Sequence, residues 1–557
     1  MEPFEDDIDW LKELYRNKSV IMVAPHPGLG RRFSNTDSIV KANKSKLVHE
    51  LHTKYPQDYV DIFTHNTLER VKPWIDIVSP IQYPKTLQTP IIDKILVLCA
   101  DFPDKPAQIS TSIIYNRFFG TYINSLKEYY KQVSYSRYIS RGEVHGWYRA
   151  PNLSTYYTDK QFGFGKYPNS AEKLVEDIVN VASTDPNIDW ASFDTNNNGY
   201  IDNLFVVHSG AEASWTGDIN DFWAHLYIIP RPIIIQQQII QQQQKLSQEK
   251  TVWVYAMTSE YLGKPTDPQI IGSDVHEHGH QLGLPDLYDY TDQSNGVGAY
   301  SLMGAGSWGN KGQTPTHLDA WSKYVLGFTD TIENPTGVVH LADAERNPNN
   351  VKYTTTDPKE YFLIEVRQKM LYDRYLPSEG LFIWHVNENQ QDNNNKNCYL
   401  VGLLQADGLK DLENKRNHGD FGDPYPGISN NRSFSPYTNP STTLCNGTAK
   451  NILINYISDS SYIMTFISSL GVPTLTTGNL CIKSSPSGAS IIIDDCSTSM
   501  TTVSPVLDCT TGNTIIGMKP GNYTYRLSMI GYKNKTGIFN IIAGKTTTIN
   551  TGNLALC

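Results

Sequence analysis

The chain has 557 residues, too many for one hydrophobic core, and 39% of them are hydrophobic, enough to bury several. Its 57 acidic residues against 47 basic ones leave a net charge of −10, which argues against the basic footprint a nucleic-acid binder needs. No run reaches the ~18–20 apolar residues that a membrane-spanning helix requires.

Residues 1–90 are polar, with an amphipathic start (DIDWLKELYR) and a proline-rich close (VSPIQYPKTLQTP). They read as an N-terminal prosegment or accessory region ending in a linker. The start, MEPFEDDIDW, has neither a basic nor an apolar segment, so a signal peptide is not visible in this chain. KILVLCADF is a short apolar run ending at polar residues and predicts a buried strand with Cys99 in the core. FFGTYINSLKEYYKQVS and SAEKLVEDIVNVAS carry apolar residues at helical spacing. YIDNLFVVHSG predicts a second core strand and GSDVHEHGHQLG a further helix. This alternation predicts an α/β domain over residues 91–330. Inside it, IIPRPIIIQQQIIQQQQKLSQEK (228–250) has no core-forming pattern. It reads as a disordered surface insertion, or else as a self-associating β-prone patch, because isoleucines interleave with the glutamines.

Beyond Gly327 the pattern changes to short alternating strands such as GVVHLADA, EYFLIEVRQ, GLFIWHVNE and SYIMTFI. They predict an all-β, sandwich-like domain over residues 331–470. SSLGVPTLTTG is a linker, and residues 476–557 form a last small β-sandwich module.

The chemistry concentrates in GSDVHEHGHQLGLPDLYDY, residues 272–290. On a helix His276 and His280 stand one turn apart on one face, and HExxH so placed grips a zinc ion. Glu277, at the edge of that face, can take a proton from a zinc-activated water without ligating the metal. His278 points elsewhere and reads as a packing or supporting residue. A catalytic site needs a third protein ligand and an open position. Gly283 ends the helix in a left-handed turn, and Asp286, held by Pro285, supplies that ligand. This is the metzincin arrangement HExxHxxGxx(H/D), and Met303 in YSLMGAGSWG provides the methionine turn expected beneath it. The predicted fold class is therefore multidomain: an α/β metzincin-like catalytic domain, an all-β domain and a small C-terminal β-sandwich. No Gly-x-Ser-x-Gly elbow occurs and the cysteines lack a catalytic context, so a covalent mechanism is the poorer reading.

The chain resembles the immune inhibitor A family of secreted zinc metallopeptidases. The resemblance is carried by HEHGHQLGLPDLYD, YSLMGAGSWG, TPTHLDAWSKYVLGF, FDTNNNGYIDNLFVVHSGAEAS, LPSEGLFIWHVNE and GDFGDPYPG, and covers roughly residues 92–467. It implies His276, His280 and Asp286 as zinc ligands and Glu277 as catalytic base. It also implies endopeptidase activity on proteins and peptides, secretion, and often calcium. The rival class is a catalytically silent surface adhesin on the same scaffold, against which the intact Glu277 speaks.

FDTNNNGYID sets Asp194, Asn196, Asn198, Tyr200 and Asp202 at the spacing of the first part of a calcium loop, but Phe205 stands where the closing glutamate belongs. The resemblance favours structural calcium there, and an Asx-rich turn is the alternative. Asp189, Asp289 and Asp292 are candidates for a second ion, and Asp420 and Asp423 for an ordered loop. His208 reads as a satisfied strand-end histidine, with an oxyanion or metal role as the alternative; His317 and His385 read as packing residues. Cys481, Cys496, Cys509 and Cys557 read as two disulfides, which implies an oxidising compartment. The C-terminal module resembles PEGA-type surface β-domains and implies attachment to the cell surface.

Overall fold

The computed structural model describes residues 22–23, 90–121, 124–241, 244–267, 270–471, 478–494, 496–502, 515–542 and 545–556. The expected amphipathic start, the proline-rich linker, most of SSLGVPTLTTG, and Cys509 and Cys557 lie outside these residues.

The first sheet joins β1 (Met22–Val23), β2 (Ile91–Asp101), β3 (Tyr138–Arg149), β4 (Leu204–Ala211), β5 (His225–Gln241) and β6 (Gln244–Tyr261) in the order β1-β5-β6-β4-β2-β3. β3, β2, β4 and β6 run parallel, while β5 returns antiparallel to β6. Residues 95–100 of β2 are an unbroken apolar run because both faces of the strand are covered there. Ile95, Val97 and Cys99 join one core with α1 (Thr111–Phe119), α2 (Leu126–Val133) and α4 (Gly272–Gln281). Leu96, Leu98 and Ala100 join another with α3 (Ala171–Ala182). Cys99 is the buried free thiol expected, and burial pushes it up to about 12. Helices therefore cover both faces of a mainly parallel sheet.

The glutamine stretch departs from the expectation of a disordered insertion. Its backbone continues β5 into a long antiparallel hairpin with β6, in register from Ile233↔Val252 to Gln241↔Gln244. The partner strand supplies the hydrogen bonds that a lone polar run lacks, and β-branched isoleucines suit the extended backbone. The one register irregularity lies between Ile228 and Ile233, where Pro230 and Pro232 offer no N–H to the ladder.

After α5 (Ala320–Val325) come β7 (Asp330–Glu333), β8 (Gly337–Ala342), β9 (Asn349–Tyr353), β10 (Glu360–Arg367), β11 (Gly380–Asn387), β12 (Val401–Leu403), β13 (Ile452–Asn455) and β14 (Ile463–Leu470). They form a five-stranded sheet, β12-β11-β10-β9-β7, and a three-stranded one, β13-β14-β8. Val339, Phe362, Ile364, Ile383, Met464 and Phe466 fill the space between the two. The opposite face of the larger sheet is buried as well. Tyr361, Leu363, Phe382 and Trp384 belong to the same core as α4 and β2, so that core runs unbroken past residue 330. β10 is consequently buried at every position, whereas a strand with one wet face alternates.

A disulfide joins Cys398 to Cys445 across the β-rich region, a pairing the spacing did not suggest. Cys481 is also disulfide-bonded. Residues from Gly478 on form a three-stranded and a four-stranded sheet around a small core including Leu480, Ile491, Leu527 and Phe539. Among the described residues no helix is long and apolar enough to cross a membrane.

Candidate metal centre

All ten residues of α4 are buried, yet Val275 is its only large aliphatic side chain. A helix this polar can be taken inside only if each polar group finds a partner. Asp274 meets Arg117, whose guanidinium also donates to the carbonyls of Ser259 and Glu260. His278 turns towards the sheet, as its sequence position suggested. Its Nδ1 lies 2.9 Å from Gln281 Oε1, and the Tyr138 hydroxyl stands between His278 Nε2 at 2.7 Å and Asp93 Oδ2 at 2.6 Å. Burial lowers His278 to about 4 and raises Asp93 to about 6.

His276 and His280 face the other way, one turn apart. His276 Nδ1–H donates to the Leu302 carbonyl at 3.0 Å and His280 Nδ1–H to the Leu284 carbonyl at 2.8 Å. A carbonyl can only accept, so in the neutral rings both Nε2 atoms are bare. Those two Nε2 atoms lie 3.1 Å apart, and Asp286 Oδ1 lies 3.0 Å from the first and 3.4 Å from the second. All three side chains are fully buried. Burial by itself would raise Asp286, but the imidazoles of His280 and His276 hold its carboxyl well below the usual range. Burial lowers His276 from its ordinary value, and Asp286 opposes that shift.

Three potential ligand atoms thus converge within 3.4 Å of one another. Two ligands bound at 2.0–2.1 Å around one tetrahedral zinc stand about 3.3 Å apart, close to all three spacings seen here. The donor set fits zinc. Glu277, also fully buried, offers a carboxylate oxygen within 4.8 Å of the ring nitrogens of both histidines.

The chain around the site is built to hold this geometry. Gly283, with φ +93°, follows Leu282, which caps the end of α4, and stands in the left-handed region, after which the chain turns back. Leu287 N–H donates to the Met303 carbonyl at 2.8 Å, tying the Asp286 loop to the methionine turn. Met303 is buried directly against Gly279, whose missing side chain makes the room. Tyr290 donates its hydroxyl to Asp286 Oδ2 at 2.6 Å. Nothing in the motif pointed to Tyr290, and the carbonyls of Leu284 and Leu302 carry no signal in the side-chain pattern.

The other candidates stand apart from this cluster. In the 194–202 loop, Asp194 accepts from the backbone of Asn198 and Gly199 and is paired with Lys250. Asp202 accepts from Thr195 and from the Asn196 side chain, and Asn198 caps the Tyr200 amide. Asp189 occupies the N-cap position of a short helical turn, with no side-chain bond to it. Asp289 closes an Asx turn on Thr291, and Asp292 is paired with Lys415. Asp423 accepts from the Tyr300 hydroxyl and the Asp420 amide. His208 bonds the Ser209 carbonyl and packs on Phe222. His317 lies 2.9 Å from Gln132, and His385 pairs with Glu360. Cys445 lies near that last pair, but its sulfur is committed to the disulfide.

Sequence comparison finds this cluster inside a segment that resembles known peptidases. Residues 108–329 match the family model for the immune inhibitor A peptidase M6 catalytic domain, so the family resemblance read from the motifs holds. The chain is 26% identical to the pre-pro-metalloprotease PrtV of Vibrio cholerae serotype O1 over 348 residues, covering 53% of this chain and 36% of the relative. It is 31% identical to immune inhibitor A of Bacillus thuringiensis subsp. alesti over 229 residues, covering 37% and 32%. The match thus spans about a third of the length of these relatives.

Proposed function

We propose that the protein is a secreted zinc-dependent endopeptidase that hydrolyses peptide bonds in proteins. The observation that carries this reading is the convergence of the Nε2 atoms of His276 and His280 and Oδ1 of Asp286 within 3.4 Å, beside the buried carboxylate of Glu277. His276, His280 and Asp286 would hold the ion, in the metzincin manner, over the turn that carries Met303. Zinc held there supplies Lewis acidity towards a carbonyl oxygen and acidifies water. Glu277 takes the proton of the attacking water and returns it to the leaving amine. The Leu302 and Leu284 carbonyls keep both imidazoles in the tautomer that ligates.

Secretion is supported by the disulfides, which persist in oxidising surroundings. We also propose the division 1–90, 91–330, 331–470 and 476–557, with the last module serving surface attachment. Calcium in the 194–202 loop would have to displace the Lys250 ammonium from Asp194, so an Asx turn closed by that lysine is the favoured reading of this loop.

The test is casein degradation by the full chain with and without a chelator, compared with Glu277→Gln. Cleavage that needs zinc and vanishes in a variant still holding zinc is the expected result. Full zinc occupancy with no cleavage of any peptide library would overturn the reading in favour of an adhesin.

A further inference from the structure

The aspartate of the proposed zinc site lies on a loop without regular structure, residues 284–290. One side of that loop is tied to Met303 and Val297 by the backbone of Leu287. The other side is met by a segment more than a hundred residues further on. Asn393 Nδ2 donates to the Leu287 carbonyl at 2.8 Å, and the Tyr290 amide donates to Asn394 Oδ1 at 2.8 Å. Asn393 is fully buried, and its Oδ1 accepts from the Val401 amide, which locks the carboxamide in place. Asn394 Nδ2 in turn donates to Asp392 Oδ2 at 2.8 Å. These asparagines lie between β11 and β12, outside the segment matched to the catalytic family, in a loop that runs on to the Cys398–Cys445 disulfide.

Tyr290, held in this way, donates to Asp286 Oδ2 and leaves Oδ1 facing the two imidazoles. A carboxylate on a loop can otherwise turn about its own axis and offer either oxygen or both. The short bond from a phenol to a charged oxygen removes that freedom. We infer that Tyr290, Asn393 and Asn394 are positioning residues for the third metal ligand, so that the β-rich region builds part of the metal centre. This rests on the zinc reading above.

Partners of metal ligands are each worth about 10–100-fold in metal affinity. In the full chain, Tyr290→Phe removes only a hydroxyl. Chelator competition is expected to give zinc affinity lower by about 10–100-fold. The visible bands of the cobalt-substituted protein should shift as Oδ2 becomes free to share the ion, while the metal-free chain unfolds as the wild type does. Asn394→Ala should weaken zinc in the same way. The swap Asp392→Asn with Asn394→Asp keeps an acceptor for the Tyr290 amide and a donor between the two side chains, and should restore binding. Wild-type zinc affinity and cobalt spectra in both Tyr290→Phe and Asn394→Ala overturn the inference, as does an equal loss in the swapped pair. A wild-type chain that takes up no zinc would instead sink the parent reading, and this one with it.

Discussion

Gly279 sits inside α4 where a side chain would collide with the methionine turn. A Cβ built there would lie 2.6 Å from Met303 Sδ, 3.3 Å from Met303 Cε and 3.3 Å from the Tyr130 hydroxyl. Ordinary separations are about 3.5–4.0 Å, so Gly279→Ala demands a shift of about 1 Å from a fully buried side chain. Overpacking of this kind costs about 1–3 kcal/mol, and alanine returns about 1 kcal/mol through its helix preference. The expected net loss is about 0–2 kcal/mol, with a larger effect on the site. Met303 follows Leu302, whose carbonyl orients His276, and its own carbonyl holds the residue after Asp286. Zinc affinity should therefore fall more than stability does. The assay is urea denaturation of the metal-free chain as a double-mutant cycle with Met303→Ala. Removing the sulfur relieves the collision, so the pair should be more stable than the sum of its single losses by at least about 1 kcal/mol. Additivity within about 0.5 kcal/mol, or a Gly279→Ala chain that gains the full alanine preference, would refute the packing argument.

Gly283 tests the opposite cause, since φ is +93° and nothing lies within 4 Å of its absent Cβ. Gly283→Ala should cost about 1–2 kcal/mol from backbone strain alone, and Gly283→Asn less; equal costs in denaturation would sink this account. Arg367 is fully buried, makes two bonds to Asp373 at 2.8 and 2.6 Å, and donates to the Tyr300 carbonyl two residues before Leu302. Arg367→Met strands Asp373 without its cation and leaves Glu365 with Lys323 alone, and should cost about 3–5 kcal/mol in urea melts; a loss under about 1 kcal/mol would contradict it. Burial, reinforced by Asp420 and Asp407, raises Asp423 from its usual 3.8 to about 7. The folded chain then keeps a proton that the unfolded chain releases, so this stability is full below pH 3.8 and is lost as pH rises through about 7. Asp423→Asn keeps an acceptor for Tyr300 and should be near neutral at pH 4 and stabilising at pH 8, by at most about 4 kcal/mol. Equal denaturation midpoints for variant and wild type at pH 8 would refute it.

The sequence alone determined the heart of the candidate site because its logic is local. A four-residue interval brings His276 and His280 to one helix face, Gly283 turns the chain, and three residues later Asp286 arrives. Helix geometry and one left-handed residue suffice for that. The buried character of β2 was legible for the same reason, since the consecutive apolar residues 95–100 carry it.

What the tertiary structure decided depends on partners far away in the chain. The glutamine run becomes a strand only because β6 comes back to pair with it. β10 is dry on both sides because the core shared with α4 and β2 covers the face that an isolated sandwich would leave wet. Cys398 meets Cys445 through the fold of their region, and Asp194 is claimed by Lys250 rather than by spacing. Asn393 and Asn394 reach the Asp286 loop across more than a hundred residues. Periodicity fixes which way a side chain points from its own element. It carries no information about which distant surface that side chain will meet, and the shape complementarity of the packed elements makes that choice.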